Sequence, residues 1–276
     1  MSHKPVEVIQ LAGDAGKYKA SLTAGNYLAR SFMAGLFIAV GGALATVCQT
    51  GLEITMGLGF KALIAGAVFP VGLIAIVLTG MSLFTGDTML IPMAVFQKKT
   101  TWGRVLNAWF WVYIGNFAGS VFWAYLMDVG PFVKGGNPAE ITAFGKSAIG
   151  IAESKVLPYM AAQASGLWSA FMKGIACNLL VNLAILLAIS SKNMIGKFFG
   201  IWFPIMAFVS CGFEHSVANM YFIPVGIMLG AHITWGQFIE WNLVPVTLGN
   251  IVGGFIFIGA VYYYSFKKEL STNAPT

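Results

Sequence analysis

Histidine is the side chain best suited to trading a proton near neutral pH. Of the three histidines in the chain, His215 is the one that stands at a break within an apolar run, inside the string FEHSVANM (213–220). An ionisable group at such a depth is a functional candidate by default. Its solution pKa of about 6.5 suits reversible proton exchange with a weak acid. The neighbouring Glu214 reads better as a partner holding backbone donors than as a catalytic group. Two apolar runs are interrupted by turn-forming residues. FPVGLIAIVLTGMSLFTGDTMLIP (69–92) breaks at Thr85-Gly86-Asp87-Thr88, and FPIMAFVSCGFEHSVANMYFIP (203–224) breaks at Ser210-Cys211-Gly212. Such breaks are tolerated in a bilayer only where the freed backbone faces protein or a watery cavity. A half-helix that starts after a break presents unpaired N–H groups and the positive end of its dipole. Two of them pointing inward make the centre favourable for a small anion without any fixed positive charge. Asp87 is expected to cap a half-helix beginning near Thr88.

The elements that carry these residues must cross a membrane. Hydrophobic residues make up 58% of the 276, charged residues only 9%, and the mean hydropathy is +0.78. A soluble domain carries about 25% charged residues. The composition therefore excludes a soluble globule, a disordered chain, a collagen-like repeat and a secreted disulfide scaffold. The net charge of +6 suits basic cytoplasmic loops rather than nucleic acid. Cys48, Cys177 and Cys211 lie in apolar runs and read as small buried packing residues. Residues 1–30 are mixed polar and do not read as a signal peptide.

Stretches 31–52, 62–86 and 105–127 carry no charge, 167–191 carries only Lys173, and 198–213, 216–239 and 241–266 complete the apolar set. At about 20 residues per crossing, an all-α protein with six spans is expected, the second and fifth of them broken. The division is a cytoplasmic segment 1–30, a single channel domain 31–266 and a tail 267–276. Within the channel domain the repeats are 31–128 and 167–266, joined by linker 129–166. Eleven Lys and Arg fall on the side of the termini, and four (Lys61, Lys134, Lys146, Lys155) on the other. Both termini are therefore expected in the cytoplasm. Val8, Leu11, Ala15 and Tyr18 stand near helical spacing, as in a helix lying against the bundle or the membrane surface. Gly135-Gly136-Asn137-Pro138 marks a turn.

The halves repeat. Phe69-Pro70 recurs at Phe203-Pro204 and GN-x-x-G (115–119) at 249–253, both 134 residues on; Ile91-Pro92 recurs at Ile223-Pro224, 132 on. Phe32-Met33-Ala34-Gly35 parallels Phe171-Met172-Lys173-Gly174, 139 on. Three spans per half is odd, so the second half enters the membrane inverted, the plan of many transporters.

FEHSVANM, LFTGD (83–87), both GN-x-x-G strings, CNLLVNLA (177–184) and PVTLGNIVGG (245–254) together resemble the formate/nitrite transporter family over about residues 16–266. The resemblance implies a homopentamer with aquaporin-like protomers, each with its own pore for small monovalent anions, in the plasma membrane of a prokaryote. It implies a central histidine at His215, a loop threonine at Thr85 and a path-lining asparagine at Asn178. It also implies an outer-vestibule lysine at Lys155 and apolar constrictions at Phe69, Leu73, Phe84, Val181 and Phe208. Lys173 has no role in that pattern, and snorkelling to an interface would account for it.

A bare carboxylate entering a low-dielectric slit costs on the order of 20 kcal/mol by idealised Born estimates. The expected mechanism is therefore that the anion is drawn in by the half-helix ends and protonated at or through His215. It then crosses as the weak acid, with Thr85 orienting it. Formate is the expected substrate; nitrite or hydrosulfide, and a proton-coupled carrier, are alternatives. A membrane enzyme is the reading from another class, but no HEXXH string or cysteine-rich cluster supplies metal ligands, and no cofactor or metal is expected. Asn137-Pro138-Ala139 matches the aquaporin tripeptide, but it occurs once and in a polar stretch.

Overall fold

The computed structural model describes residues 2–272, and the end of the expected tail lies outside them. Its helices in chain order are α1 (Pro5–Ala20), α2 (Ala24–Gln49), α3 (Leu52–Thr55), α4 (Leu58–Val68), α5 (Val71–Thr79), α6 (Phe84–Phe96) and α7 (Trp102–Val129). A hairpin of β1 (Val133–Lys134) and β2 (Asn137–Ile141) follows. Then come α8 (Ala143–Ser154), α9 (Leu157–Ala161), α10 (Gln163–Ser190), α11 (Met194–Ser210), α12 (Ser216–Met228), α13 (Trp235–Phe238), α14 (Val244–Val252) and α15 (Val261–Thr272). The π-helical segments Ile239–Leu243 and Gly253–Ala260 join the last three into one rod.

Four helices among the described residues are long and apolar enough to cross a membrane: Ala24–Thr55, Leu58–Thr79, Gln163–Ser190 and Trp235–Ser271. The third expected span, α7, is long but rich in Trp, Tyr and Asn; the fifth is divided between α11 and α12. The first span begins at Ala24, not Ser31, because Thr23 caps it by accepting the Asn26 N–H. Arg30 sits within its first two turns, its guanidinium on the Tyr18 hydroxyl at 2.7 Å.

The linker is built rather than loose. Gly135 and Gly136, at φ 59° and 77°, turn the hairpin, so Asn137-Pro138-Ala139 lies in β2. Beyond it, α8 packs on α12, where a side chain at Gly226 would collide with Ala152.

Close helix packing defines the repeat. A Cβ on Gly119 would lie 1.9 Å from the Phe32 carbonyl oxygen, and one on Gly253 would lie 2.4 Å from that of Ile175. Likewise Gly115 meets Leu28 and Gly249 meets Phe171. Small residues let helices approach to backbone contact in a membrane. These pairings match residue 32 with residue 175, an offset of 143. The string match at 139 is therefore one helical turn out of register, a slip that keeps the same helix face.

The two halves run in opposite senses. From the centre, α6 runs to the face covered by α1, and α12 runs to the face covered by α8. Val8, Ile9 and Ala12 of α1 are buried against Met89, Leu90, Met93, Ile185 and Leu186, so α1 lies against the bundle.

Candidate transport site

The breaks sit where backbone conformation demands them. The first falls at residues 80–83: α5 ends at Gly80 with φ 76°, and α6 restarts at Phe84. It lies before Thr85, not at it, because residues 85–88 already form the first turn of α6. The second falls at residues 211–215, where Gly212 takes φ 69° and α12 restarts at Ser216. Cys211, expected buried, is exposed at this corner, and all three cysteines are free.

One asparagine per half holds each restart. Asn116 Oδ1 accepts the Phe84 N–H at 2.8 Å, while its Nδ2 donates to the carbonyls of Ser31 (2.8 Å) and Ser82 (3.1 Å). Asn250 Oδ1 accepts the Ser216 N–H at 2.8 Å, while its Nδ2 donates to the carbonyls of Gly174 (2.9 Å) and Glu214 (3.0 Å). These are the asparagines of the two GN-x-x-G strings. Sequence reasoning recognised the strings as a repeat but not the side chain's task of bridging a break.

The two half-helix starts meet through side chains. His215 is the N-cap of α12: its Nδ1 accepts the Ala218 N–H at 3.0 Å, and its Nε2 lies 2.9 Å from Thr85 Oγ1. With the Nδ1 lone pair engaged, the ring proton is assigned to Nε2 and is donated to Thr85. Passing a proton through the ring would first require breaking the Ala218 bond; neutralising an anion beside the ring would not.

Two cavities approach this contact. One of about 410 Å³ opens towards the α8 face and reaches Phe69, Phe208, Lys155, Asn219 and His215. The other, about 180 Å³, opens towards the α1 face and reaches Lys19, Leu73, Leu83 and Asp87. Between them Ile38, Phe69, Leu73, Leu83, Val181, Ile205, Phe208 and His215 close a slit with no space for a water molecule. Phe208 lies edge-on to Phe69 and stacks on the imidazole, with ring centroids 5.8 Å apart in each pair.

Four of the five expected constriction residues line that slit; Phe84 does not. It packs against Tyr113 and Trp109, with centroids 4.8 and 6.0 Å away. Leu83 takes its place, since the extended N-cap residue points to the slit while the first helical residue turns to α7. Asn178 lines neither cavity. It braces the first turn of α6 from behind, its Nδ2 donating to the Thr85 carbonyl (3.1 Å) and Thr88 Oγ1 (2.9 Å).

The charged groups are paired at both mouths. Glu214, only 4% exposed, accepts from Lys155 Nζ (2.8 Å), Tyr159 OH (2.9 Å) and Asn219 Nδ2 (2.7 Å). It holds side chains rather than the backbone donors expected from sequence. Lys173 does not snorkel freely: its Nζ donates to Tyr159 OH at 3.1 Å. On the other side, Asp87 caps nothing. Buried in the first turn of α6, it pairs with Lys19 Nζ at 2.8 Å.

Two cavities, a dry slit and a hydrogen-bonded His–Thr pair where two half-helices converge make the arrangement of a membrane conduit. The chain belongs to the formate/nitrite transporter family, whose model matches residues 6–264. A probable formate transporter of Methanothermobacter thermautotrophicus is 41% identical, the match covering 96% of this chain and 97% of that one. A formate channel of Bacillus thuringiensis is 37% identical, with 98% of both chains covered. Among solved structures, an ion channel of the family superposes with a TM-score of 0.79 at 30% identity, covering 94% of this chain and 98% of that one. A pentameric channel with formate bound superposes at 0.74 with 31% identity, covering 88% and 98% respectively.

Proposed function

We propose that this protein is a formate channel that works as a homopentamer in the plasma membrane of a prokaryote, with both termini in the cytoplasm. The observation that carries the reading is that His215, hydrogen-bonded to the fully buried Thr85, lines a slit too tight for water. An anion in the larger cavity meets Lys155, Asn219 and His215, and one in the smaller meets Lys19. Beyond them the Phe and Leu walls offer nothing to a carboxylate, so crossing as the neutral acid avoids a cost on the order of 20 kcal/mol. The neutralising proton comes from vestibule water, and the His215–Thr85 pair orients the acid as it forms. Formate, the ligand named for several relatives, is small enough and basic enough to follow this route. The basic excess on the α1 face supports the cytoplasmic placement of both termini.

The test is formate flux in proteoliposomes across pH 5–8. Wild type carries formate faster as pH falls, and His215→Asn and Thr85→Ala lower the rate across that range. Unchanged rates in both variants would end the proposal.

A further inference from the structure

The Thr85 carbonyl is held far more firmly than its counterpart in the other half. It accepts from Thr88 Oγ1 (2.6 Å), Asn178 Nδ2 (3.1 Å) and Asn182 Nδ2 (3.1 Å). The equivalent carbonyl of the second half-helix, Val217, accepts one side-chain bond, from Ser120 Oγ at 3.4 Å. The internal repeat thus supplies its own comparison, and the excess falls on the half-helix that presents Thr85 to His215.

Asn182 is the added element. It lies one turn beyond Asn178 on α10, is fully buried, and is aimed by a second bond from its Nδ2 to the Asn178 carbonyl at 2.9 Å. Its Oδ1 has no hydrogen-bond partner among the described residues. A buried amide oxygen without a hydrogen bond is costly, and an apolar side chain of similar size would fill the space without that cost. The amide's return must therefore come through its donors, and the one donor bond that leaves its own helix goes to Thr85.

We propose that Asn182 is a positioning residue for transport: it clamps the Thr85 carbonyl so that the hydroxyl stays aligned with His215 Nε2. The inference rests on the proposed role of the His215–Thr85 pair. Asn182 touches neither cavity and acts only through Thr85.

A double-mutant cycle of formate flux separates this role from packing. Asn182→Ala lowers the rate about 3- to 10-fold, the factor expected for one buried hydrogen bond of about 0.7–1.4 kcal/mol. In a Thr85→Ala background the same change lowers it less than about 2-fold. Asn182→Ser serves as the second variant. Its hydroxyl can still bond the Asn178 carbonyl one turn back but is too short for Thr85, so it should behave as Asn182→Ala does. Equal losses in both backgrounds, or no loss with Thr85 present, would overturn the clamp. Hydrogen–deuterium exchange decides the same point without any substrate. Amides of residues 84–90 should exchange about 3- to 10-fold faster in both Asn182 variants, with residues 216–228 unchanged; unaltered exchange in 84–90 would refute it. Should the wild type carry no formate, the functional reading fails while the exchange result still judges the clamp.

Discussion

Replacing Asn250 by Leu removes the bridge across the second break at nearly constant volume. The structure specifies what is lost. The Ser216 N–H and the Glu214 carbonyl, bonded to the amide at 2.8 and 3.0 Å, both lose this partner in buried surroundings. Gly174 lies within α10, where the helical ladder supplies its carbonyl with a second donor. Two orphaned backbone groups at about 1–3 kcal/mol each give a loss of about 2–6 kcal/mol. For a chain of this size about 2–4 °C of midpoint accompanies each kcal/mol, so melting in detergent should fall by at least about 4 °C. Asn116→Leu is the twin experiment, since it orphans the Phe84 N–H and the Ser82 carbonyl in the same way. Asn250→Asp keeps the acceptor for Ser216 but loses the donor, and should also melt lower than wild type. Tryptophan fluorescence reads the transition. If either Leu variant melts within about 2 °C of wild type, the bridging argument is wrong.

Two further outcomes follow from the charged groups. Lys19→Met strands a carboxylate that is 1% exposed, which costs about 3–5 kcal/mol in comparable buried pairs. The double variant Lys19→Met/Asp87→Asn should recover much of that loss; a double variant no more stable than the single one would exclude the pair as its cause. Outside the spans, the His232 backbone N–H and imidazole both hydrogen-bond Glu153 and hold its carboxyl below its ordinary value of 4.5. A lowered carboxyl pKa gives stability that is present above 4.5 and lost as pH falls through the depressed value. Amide exchange in residues 229–234 should therefore be faster in Glu153→Gln than in wild type at pH 7. The two should converge once acid protonates the carboxyl, and equal exchange at pH 7 would refute the tie.

Much of the architecture could be read along the chain because lipid imposes simple demands. A span must be apolar for its whole length, so charge-free runs revealed where helices cross and broken runs revealed where they do not. His215 stood out for the same reason: an imidazole has few excuses for lying between apolar strings. The recurrence of GN-x-x-G marked the two halves before any contact was known.

Other features depended on direction in space, which a string does not carry. Leu83 and Phe84 are adjacent and both apolar, yet one faces the slit and the other α7. The choice is made by the extended N-cap and by the Asn116 bond that starts the helix. The position of the first break was set by Gly80, because a positive φ ends a helix wherever the downstream N–H groups find another acceptor. Lys19, Asp87, Tyr159 and Lys173 acquired partners from elements 14 to 68 residues away in sequence, and such pairings form only once the helices have packed. The sequence by itself determined a membrane bundle with two inward half-helices and an imidazole between them. Tertiary structure alone decided which side chains close the slit, which carbonyls are clamped and how each buried charge is matched, because those are properties of helix rotation and approach.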